Sequence, residues 1–514
     1  MGGALSRAVA EACATLRPML AADTGARVGD VLTRLDGPLQ LAVAGRIKSG
    51  KSTVVNTLIG RRVAPTDVRE CTRLVTRFQY GTVDRVEVVG VDGSRRTLPY
   101  DPDGLIPPDL GAEPDQIAYL DAFLTSASLS GLTVIDTPGL GSLDAASARR
   151  TEVLLGAAGG APVPVAEVQN RPGGKGLDAG SQAAIAQAEA VLYVFTQAAR
   201  ADDADALAIF RAYSTPQASS PINAIGVLNK ADQVVPGPAD ADEWSAATAL
   251  AGGQAVALRH HLWDVLPLVG IVAEATETGH FTQADAEALR ALAGLDPARR
   301  ELLFYSTDLF VRPELPVSVA ARARLLERLD LYGARRAVEL LAAEPGLTAG
   351  ELRRRLSGLS GFPTLHGLVD STLRRRADGI KASVALAALE AVALHANLAD
   401  RMRIRAEIEE LTARPEAHLL PLLQAAAQVT AGRVALPDEL AAELSRLVGS
   451  DDPAEQLGQP GAPVDTLRTV ALETAARWRS FATFGSTPAQ SRIAHVVHRG
   501  FFLIWQQLQD GGAP

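Results

Sequence analysis

Two lysines stand three residues apart in a glycine-containing stretch, GRIKSGKST, at residues 45–53. The chain has only five lysines among its 50 basic side chains, so a pair within one turn is unusual. Two glycines flank four residues and are followed by lysine and serine, which is the P-loop pattern. In that pattern backbone N–H groups face a phosphate chain, the lysine reaches the terminal phosphates and the serine hydroxyl binds Mg²⁺. The predicted phosphate-binding residues are Gly45, Ser49, Gly50, Lys51, Ser52 and Thr53.

A magnesium ion bound to the phosphates needs further ligands, and two stretches can supply them. In DTPG (136–139), Asp136 can hold Mg²⁺ through a water molecule, and the Gly139 N–H can meet the γ-phosphate. A threonine that closes onto Mg²⁺ when the γ-phosphate is present is expected within residues 64–78. The candidates are Thr66, Thr72 and Thr76. The position within the loop favours Thr72.

The stretch NKAD, which begins at Asn229, predicts the identity of the base. Asp232 can accept two hydrogen bonds, from guanine N1–H and from the 2-amino group, while the stem of Lys230 packs on the base. Adenine offers neither donor in that arrangement. A backbone N–H near the guanine oxygen should follow the strand predicted at 266–272, and Gly270 is the candidate. The motifs, taken in this order, predict a site for GTP and its product GDP.

Short apolar runs typical of buried strands lie next to these motifs and alternate with helical patterns. This alternation predicts an α/β domain whose mostly parallel sheet has helices on both faces. The predicted strands are 39–45, 132–137, 190–196, 223–229 and 266–272. Residues 77–100 instead alternate around an Asp-Gly turn, which predicts an antiparallel hairpin. A stretch rich in Gly, Ala and Pro, 156–181, is predicted to be a long loop.

Helical patterns dominate both ends of the chain. Residues 1–36 predict a helix with a break near Thr24 and Gly25. From Leu373 to Leu411 one apolar stripe continues, which predicts a single helix of about 40 residues within an elongated all-α bundle. Further helices are predicted at 417–431, at 463–482 and in a last stretch ending at 501–505. The predicted units are an N-terminal helix that joins the trunk (1–37), a GTPase domain (38–370) and a helical trunk (371–514).

Composition narrows the classes of function. The net charge of −9 gives the whole chain no electrostatic reason to bind nucleic acid, and none is expected. Two cysteines are too few for a disulfide framework. The N-terminus lacks the pattern of a signal peptide, and no apolar stretch approaches the roughly 18 to 20 residues that span a bilayer. We therefore expect a cytoplasmic protein, attached at most to the surface of the cytoplasmic membrane.

Together these motifs resemble those of a GTPase of the dynamin superfamily in its bacterial branch, with the actinobacterial isoniazid-inducible dynamin-like group as the nearest match. The resemblance rests on GRIKSGKSTVVNTLIG, APTDVRECTRLVTRFQYG, DTPGLGS and NKAD, and continues into LYGARRAVELL and LSGFPTL. It implies dimerisation through the GTPase heads, as a homodimer or with a related dynamin-like protein. It also implies a trunk built from N- and C-terminal helices, with membrane attachment at the trunk tip.

Two positions depart from familiar GTPase patterns. Lys48 stands where eukaryotic dynamins place a serine that helps to hold a monovalent cation, and where guanylate-binding proteins place an arginine finger. Its ammonium could neutralise charge in the transition state, or it could point to solvent or to a partner head. Leu140 stands where small GTPases carry a glutamine that positions water, so backbone groups and Thr72 would have to hold the attacking water. The predicted catalytic residues are Lys48, Lys51, Thr72 and Gly139.

Two stretches are candidates for contact with anionic lipid. Arg401, Arg403 and Arg405 approach a break at Arg414–Pro415, and RGFFLIW (499–505) is the second. For both stretches, bundle packing and ordinary surface arginines are the favoured explanation from the sequence alone. The sequence is consistent with a GTPase that remodels or protects a membrane, and with a GTP-operated switch whose trunk binds a protein partner. A non-hydrolysing subunit of a mixed assembly is a third reading.

Overall fold

A computed structural model describes residues 3–46, 48–64, 74–137, 188–196, 221–237, 240–311, 314–374, 376–484 and 486–510. Several residues singled out from the sequence lie outside these ranges. They are Thr66, Thr72, Gly139, Leu140 and the loop predicted at 156–181.

The described residues form a nine-stranded sheet. Its strands are β1 (Leu39–Gly45), β2 (Thr76–Tyr80), β3 (Arg85–Gly90), β4 (Arg95–Leu98), β5 (Ile117–Leu124), β6 (Leu132–Asp136), β7 (Ala190–Phe195), β8 (Ala224–Asn229) and β9 (Asp264–Leu268). The order across the sheet is β4-β3-β5-β2-β6-β1-β7-β8-β9. The five strands from β6 to β9 run parallel, and β2 joins them antiparallel to β6.

Eighteen α-helices are found among the described residues. The first eleven are α1 (Ala4–Leu16), α2 (Ala22–Asp36), α3 (Lys51–Ile59), α4 (Glu243–Ala257), α5 (Gly270–Glu277), α6 (Gln283–Ala293), α7 (Pro297–Leu303), α8 (Thr307–Val311), α9 (Val319–Ala343), α10 (Ala349–Ser360) and α11 (Phe362–Leu368). The others are α12 (Ala377–His395), α13 (Leu398–Ala413), α14 (Leu419–Thr430), α15 (Asp438–Gly449), α16 (Pro453–Gln456), α17 (Val464–Thr483) and α18 (Pro488–Asp510).

The parallel strands bring the predicted site residues to one edge of the sheet. In the register of the sheet Val43 of β1 pairs with Asp136 of β6, and Gly45 pairs with Val194 of β7. Asn229 ends β8, which is also parallel to β7. Side chains of β1 enter apolar clusters on both faces of the sheet, which explains why its sequence is apolar throughout. The α/β prediction is therefore confirmed.

Three strand predictions need correction. Strand β5 was not predicted, although it lies inside the sheet between β3 and β2. The hairpin at 77–100 is real only for β3 and β4, because β2 pairs with β5 and β6 instead. The strand predicted at 266–272 ends at Leu268, and Gly270 already begins α5.

The N-terminal helices pack on the C-terminal region. Apolar residues of α1 and α2, such as Val9 and Val28, share one core with α12 and α13. The Asp378 carboxylate accepts the backbone N–H groups of Leu5 and Ser6 at 3.0 and 2.7 Å, and so caps α1. The predicted break at Thr24 and Gly25 is wrong. The chain breaks instead at a 3₁₀ turn, Arg17–Met19, because its proline cannot donate to a continuing helix.

The predicted 40-residue helix is two helices. Helix α12 ends at His395, and the Asn397 side chain accepts the Asp400 N–H at 3.0 Å to cap α13. Ile408 of α13 and Leu386 of α12 share one core, so the two helices form a hairpin. The hairpin of α12 and α13 therefore turns at residues 396–397, and Arg414–Pro415 does not lie at its turn.

The C-terminal helices α14 to α18 form a separate core around Trp478. Three of these helices, α14, α17 and α18, agree with the predicted stretches, whereas α15 and α16 were not predicted. Ile222 and Trp263, which precede β8 and β9, also enter this core. The bundle therefore lies at the edge of the sheet opposite the predicted site. Within the described ranges, none of the helices combines the length and apolar content that crossing a bilayer requires.

Candidate nucleotide site

The P-loop turn lies in close contact with β7 and β8, and both of its glycines are required because a side chain at either position would clash. Gly45 ends β1 with φ of 149°, and Gly50 precedes α3 with φ of 85°. A Cβ on Gly45 would lie 2.1 Å from the carbonyl oxygen of Val194, and one on Gly50 would lie 2.2 Å from Asn229 Nδ2. Both conformations are ones that only glycine adopts easily. The turn therefore directs the start of α3 to the sheet edge.

The first two residues of α3 bring a positive charge and a hydroxyl to this edge. Lys51 is 8% exposed, and its Nζ donates to the carbonyl oxygen of Arg46 at 2.9 Å. The Ser52 Oγ donates to Asp136 Oδ2 at 3.1 Å. Burial raises the pKa of Asp136 to about 6, and the charge of Lys51 and the bond from Ser52 oppose that rise. A cation placed beside this carboxylate would favour its ionised form.

This group of oxygen atoms suits Mg²⁺. Asp136 Oδ1 is buried and has no hydrogen-bond partner among the described residues. Mg²⁺ binds hydroxyl and carboxylate oxygens, keeps several waters, and takes its remaining ligands from phosphate. Ser52 and Asp136 therefore fit the metal that the sequence predicts.

The remaining P-loop side chains differ in exposure. Ser49 is 3% exposed, and its Oγ is buried without a hydrogen-bond partner among the described residues. Thr53 is half-buried in the first turn of α3. Lys48 is exposed and has φ of 64°, in the left-handed region that is uncommon for a residue with a side chain.

Asn229 joins the NKAD loop to the P-loop. Its Nδ2 donates to the carbonyl oxygen of Ser49 at 2.8 Å, and its Oδ1 accepts the N–H of Gly270 at 3.0 Å. The prediction for Gly270 needs correction for this reason. Its N–H is engaged by Asn229, so it positions the motif rather than donating to the guanine oxygen.

Asp232 lies on the 3₁₀ turn Ala231–Gln233, which follows Lys230 in a left-handed conformation with φ of 57°. The pKa of Asp232 is raised to about 6, mainly by burial and also by the negative charges of Asp330 and Glu243, while a backbone hydrogen bond and the charge of Lys230 oppose that rise. Guanine N1–H and the 2-amino group are donors, so a bound guanine would favour the ionised carboxylate. The turn thus presents an acceptor pair whose charge a matching base would stabilise.

Two polar residues at the site were missed from the sequence. Asn56 of α3 is fully buried and bonds to Glu274 of α5. Asn56 could have been found, because it is a side-chain amide within the largely apolar run VVNTLI. Glu274 carries no such signal, since its partner lies 218 positions away.

Comparison with known proteins agrees with this site. Residues 41–231 match the family model described as "Dynamin family", a range that begins in β1 and stops one residue before Asp232. Over 480 residues, 91% of each chain, the sequence is 29% identical to the isoniazid-induced protein IniC of Mycobacterium tuberculosis. A bacterial dynamin-like protein of Nostoc punctiforme is 30% identical over 133 residues, which are 23% of this chain and 19% of that protein.

Solved structures were compared in the same way. Two chains from work on an oligomerised bacterial dynamin pair align with TM-scores of 0.30 and 0.31. Their sequence identities to this chain are 14% and 12%. The alignments cover 99% and 95% of this chain, and 73% and 87% of those chains.

Proposed function

Because this chain carries a dynamin-family GTPase domain and hydrolyses GTP, we propose that hydrolysis requires Mg²⁺, is promoted by association of two heads and is coupled to a lipid surface. The proposed head is residues 38–370, and the proposed trunk is residues 371–514 together with 1–37. The associated head belongs to a second copy of this chain or to a related dynamin-like protein. The proposed outcome is remodelling or protection of the membrane.

In the proposed reaction, protein groups position GTP and stabilise negative charge. Lys51 would contact the terminal phosphates as a compact charge, and Ser52 and Asp136 would hold the metal, Ser52 by its hydroxyl and Asp136 through a water molecule. When bound, Mg²⁺ neutralises charge on the phosphates. Thr72 and the Gly139 N–H, which lie outside the described residues, are predicted from the sequence to meet the γ-phosphate. Asp232 and Lys230 hold guanine, and Asn229 keeps their loop against the P-loop.

The observation that carries the lipid part of the proposal is an exposed apolar end of the helical trunk. We call this end the apolar tip; its residues are Met19, Leu394, Leu398 and Met402. They are 56%, 60%, 71% and 65% exposed, respectively. Large exposed apolar side chains grouped in this way are typical of a surface that is covered in use.

Two hydrogen bonds join the segment between α1 and α2 to the first turns of α13, and so hold the apolar tip together. The Arg403 Nη1 donates to the carbonyl oxygen of Met19 at 3.0 Å, and Asp400 accepts the N–H of Ala21 at 3.1 Å. Helix α2 has 15 residues and ends directly before β1, so the tip lies about 22 Å from the sheet. That distance leaves room for a surface contact that does not obstruct the nucleotide site.

The three arginines predicted to bind lipid have different surroundings. Arg401 donates to the carbonyl oxygens of Ala393 and Leu394 at 3.1 and 3.0 Å, so it caps α12. Arg403 and Arg405 are exposed beside the apolar tip. Basic side chains beside apolar ones favour an anionic surface, because both lipid charge and acyl chains are then matched. Arg403 and Arg405 therefore remain candidates for headgroup contact.

Sedimentation with vesicles tests the proposal. The parent protein should sediment with vesicles that contain phosphatidylglycerol, and less with pure phosphatidylcholine. The double substitution Leu398→Asp with Met402→Asp should weaken that binding at least about tenfold, because two apolar side chains lose their burial in lipid. Its GTP turnover without lipid should equal that of the parent.

The matched control replaces two equally exposed apolar residues of the head. Val256 and Leu302 are 65% and 60% exposed and lie on α4 and α7. Val256→Asp with Leu302→Asp should leave vesicle binding unchanged. Equal binding by the tip variant and the parent would remove the tip as the contact. Failure of the parent to bind either vesicle would favour a GTP-operated switch whose trunk binds a protein.

A further inference from the structure

Asn56 is held in one orientation by four hydrogen bonds in the core. Its Oδ1 accepts the N–H groups of Val63 and Ala64 at 3.0 and 2.8 Å. Two backbone donors on one atom identify that atom as the oxygen, so the amide nitrogen faces the other way. That nitrogen donates to the carbonyl oxygen of Ala64 at 3.0 Å and to Glu274 Oε1 at 2.6 Å.

The bond to Glu274 connects the two halves of the nucleotide site. Asn56 lies on α3, whose first turn carries the phosphate-binding residues. Glu274 lies on α5, whose first residue, Gly270, donates to Asn229 of the guanine motif. A short bond to a carboxylate that is partly shielded from water is stronger than an exposed one. The phosphate half and the guanine half are therefore joined at a second point, away from the contact between Asn229 and Ser49.

We propose that Asn56 and Glu274 are a positioning pair that fixes the spacing between the guanine half and the phosphate half of the site. The proposal rests on the assignment of these two halves made above. A nucleotide spans both halves, so binding at one end assists binding at the other only when the spacing is correct. Loss of the pair weakens ligands that span the site and leaves ligands of one half unaffected.

Binding measurements with three ligands test this proposal. Glu274→Leu should weaken GDP binding about tenfold, the loss expected for a hydrogen bond to a charged group. Tripolyphosphate with Mg²⁺ contacts only the phosphate half, and guanosine only the guanine half, so their affinities should stay within about twofold of the parent. Glu274→Gln keeps an acceptor oxygen for Asn56 but not the charge, so it should bind GDP more tightly than Glu274→Leu and within about threefold of the parent.

A second glutamate on the same helix provides the matched control. Glu277 Oε1 accepts the Ser357 hydroxyl at 2.6 Å, a bond of the same kind that leads to α10 and away from the site. Glu277→Leu should therefore leave GDP affinity unchanged. Should Glu274→Leu not fold, Glu274→Ala tests the same contact, because it also removes the acceptor of the Asn56 amide and leaves the bonds of Asn56 to Val63 and Ala64 in place.

The outcomes separate this proposal from the assignment of the site. Unchanged GDP binding in a folded Glu274→Leu protein would overturn the positioning role, as would an equal loss in Glu277→Leu. An equal loss for GDP and tripolyphosphate would mean damage to the P-loop instead of altered spacing, and would also overturn it. If the parent itself binds neither tripolyphosphate nor guanosine, the assignment of the two halves fails first.

Discussion

Replacing Asp232 with asparagine should change the preferred base from guanine to xanthine. In the proposed site the carboxylate would accept from guanine N1–H and from the 2-amino group, whereas xanthine carries a carbonyl at position 2. An asparagine amide has one acceptor and one donor, which match N1–H and that carbonyl. A site rejects a substrate strongly when buried hydrogen-bonding groups are left unpaired. The kcat/KM for GTP should therefore fall about 1000-fold or more, and the kcat/KM for XTP should rise. Steady-state turnover with both nucleotides measures this.

Asp330 supplies the control for that substitution. Its charge acts on Asp232, and its backbone has φ of 55° within α9. Asp330→Asn removes a neighbouring carboxylate without altering the NKAD loop, and asparagine has nearly the same shape as aspartate, so the strain of the backbone at this position is the same in both proteins. This variant should keep its preference for GTP. If Asp232→Asn also kept that preference, guanine would have to be recognised elsewhere.

Replacing Lys48 with alanine should lower kcat for GTP about 100- to 1000-fold and leave KM nearly unchanged, if the ammonium meets charge that develops only in the transition state. The residue is exposed in the isolated chain, so it has the freedom to reach the phosphates once a second head covers the site. Turnover and nucleotide affinity measured on the same preparation separate the two effects.

The left-handed backbone at Lys48 requires a second neutral variant. Alanine is strained at φ of 64°, whereas asparagine adopts this region more readily. Lys48→Asn should therefore show the same loss of kcat, and Lys48→Arg should retain part of the rate because it keeps the charge. Undiminished kcat in both neutral variants would leave Lys48 pointing to solvent or to a partner head.

The sequence predicted most where local pattern and chemistry coincide. The P-loop stretch, DTPG and NKAD each follow a buried strand, and parallel pairing then carries Gly45, Asp136 and Asn229 to one sheet edge. This geometry follows from topology alone, since parallel strands end on the same side. The fold class and the positions of the motif residues were therefore within reach of the sequence.

Errors arose where tertiary contacts decide the local structure. The apolar run LPLVGIV looks like one strand, but the chain turns into α5 so that Gly270 can donate to Asn229. The stripe from Leu373 to Leu411 looks like one helix, because Leu398 is apolar in type yet 71% exposed in the fold. The cap at Asn397 was a local signal that could have ended the first helix. Glu274 could not have been found, since its partner is distant in sequence.

Turnover of GTP over a wide range of protein concentrations, with ATP as the control nucleotide, is the measurement that tests the account most directly. A GTPase that depends on association of its heads should show turnover per molecule that rises with concentration and then saturates, with ATP hydrolysed far more slowly. Slow turnover of GTP that stays the same at every concentration would contradict head association. Equal turnover of ATP would contradict the assignment of guanine to Asp232.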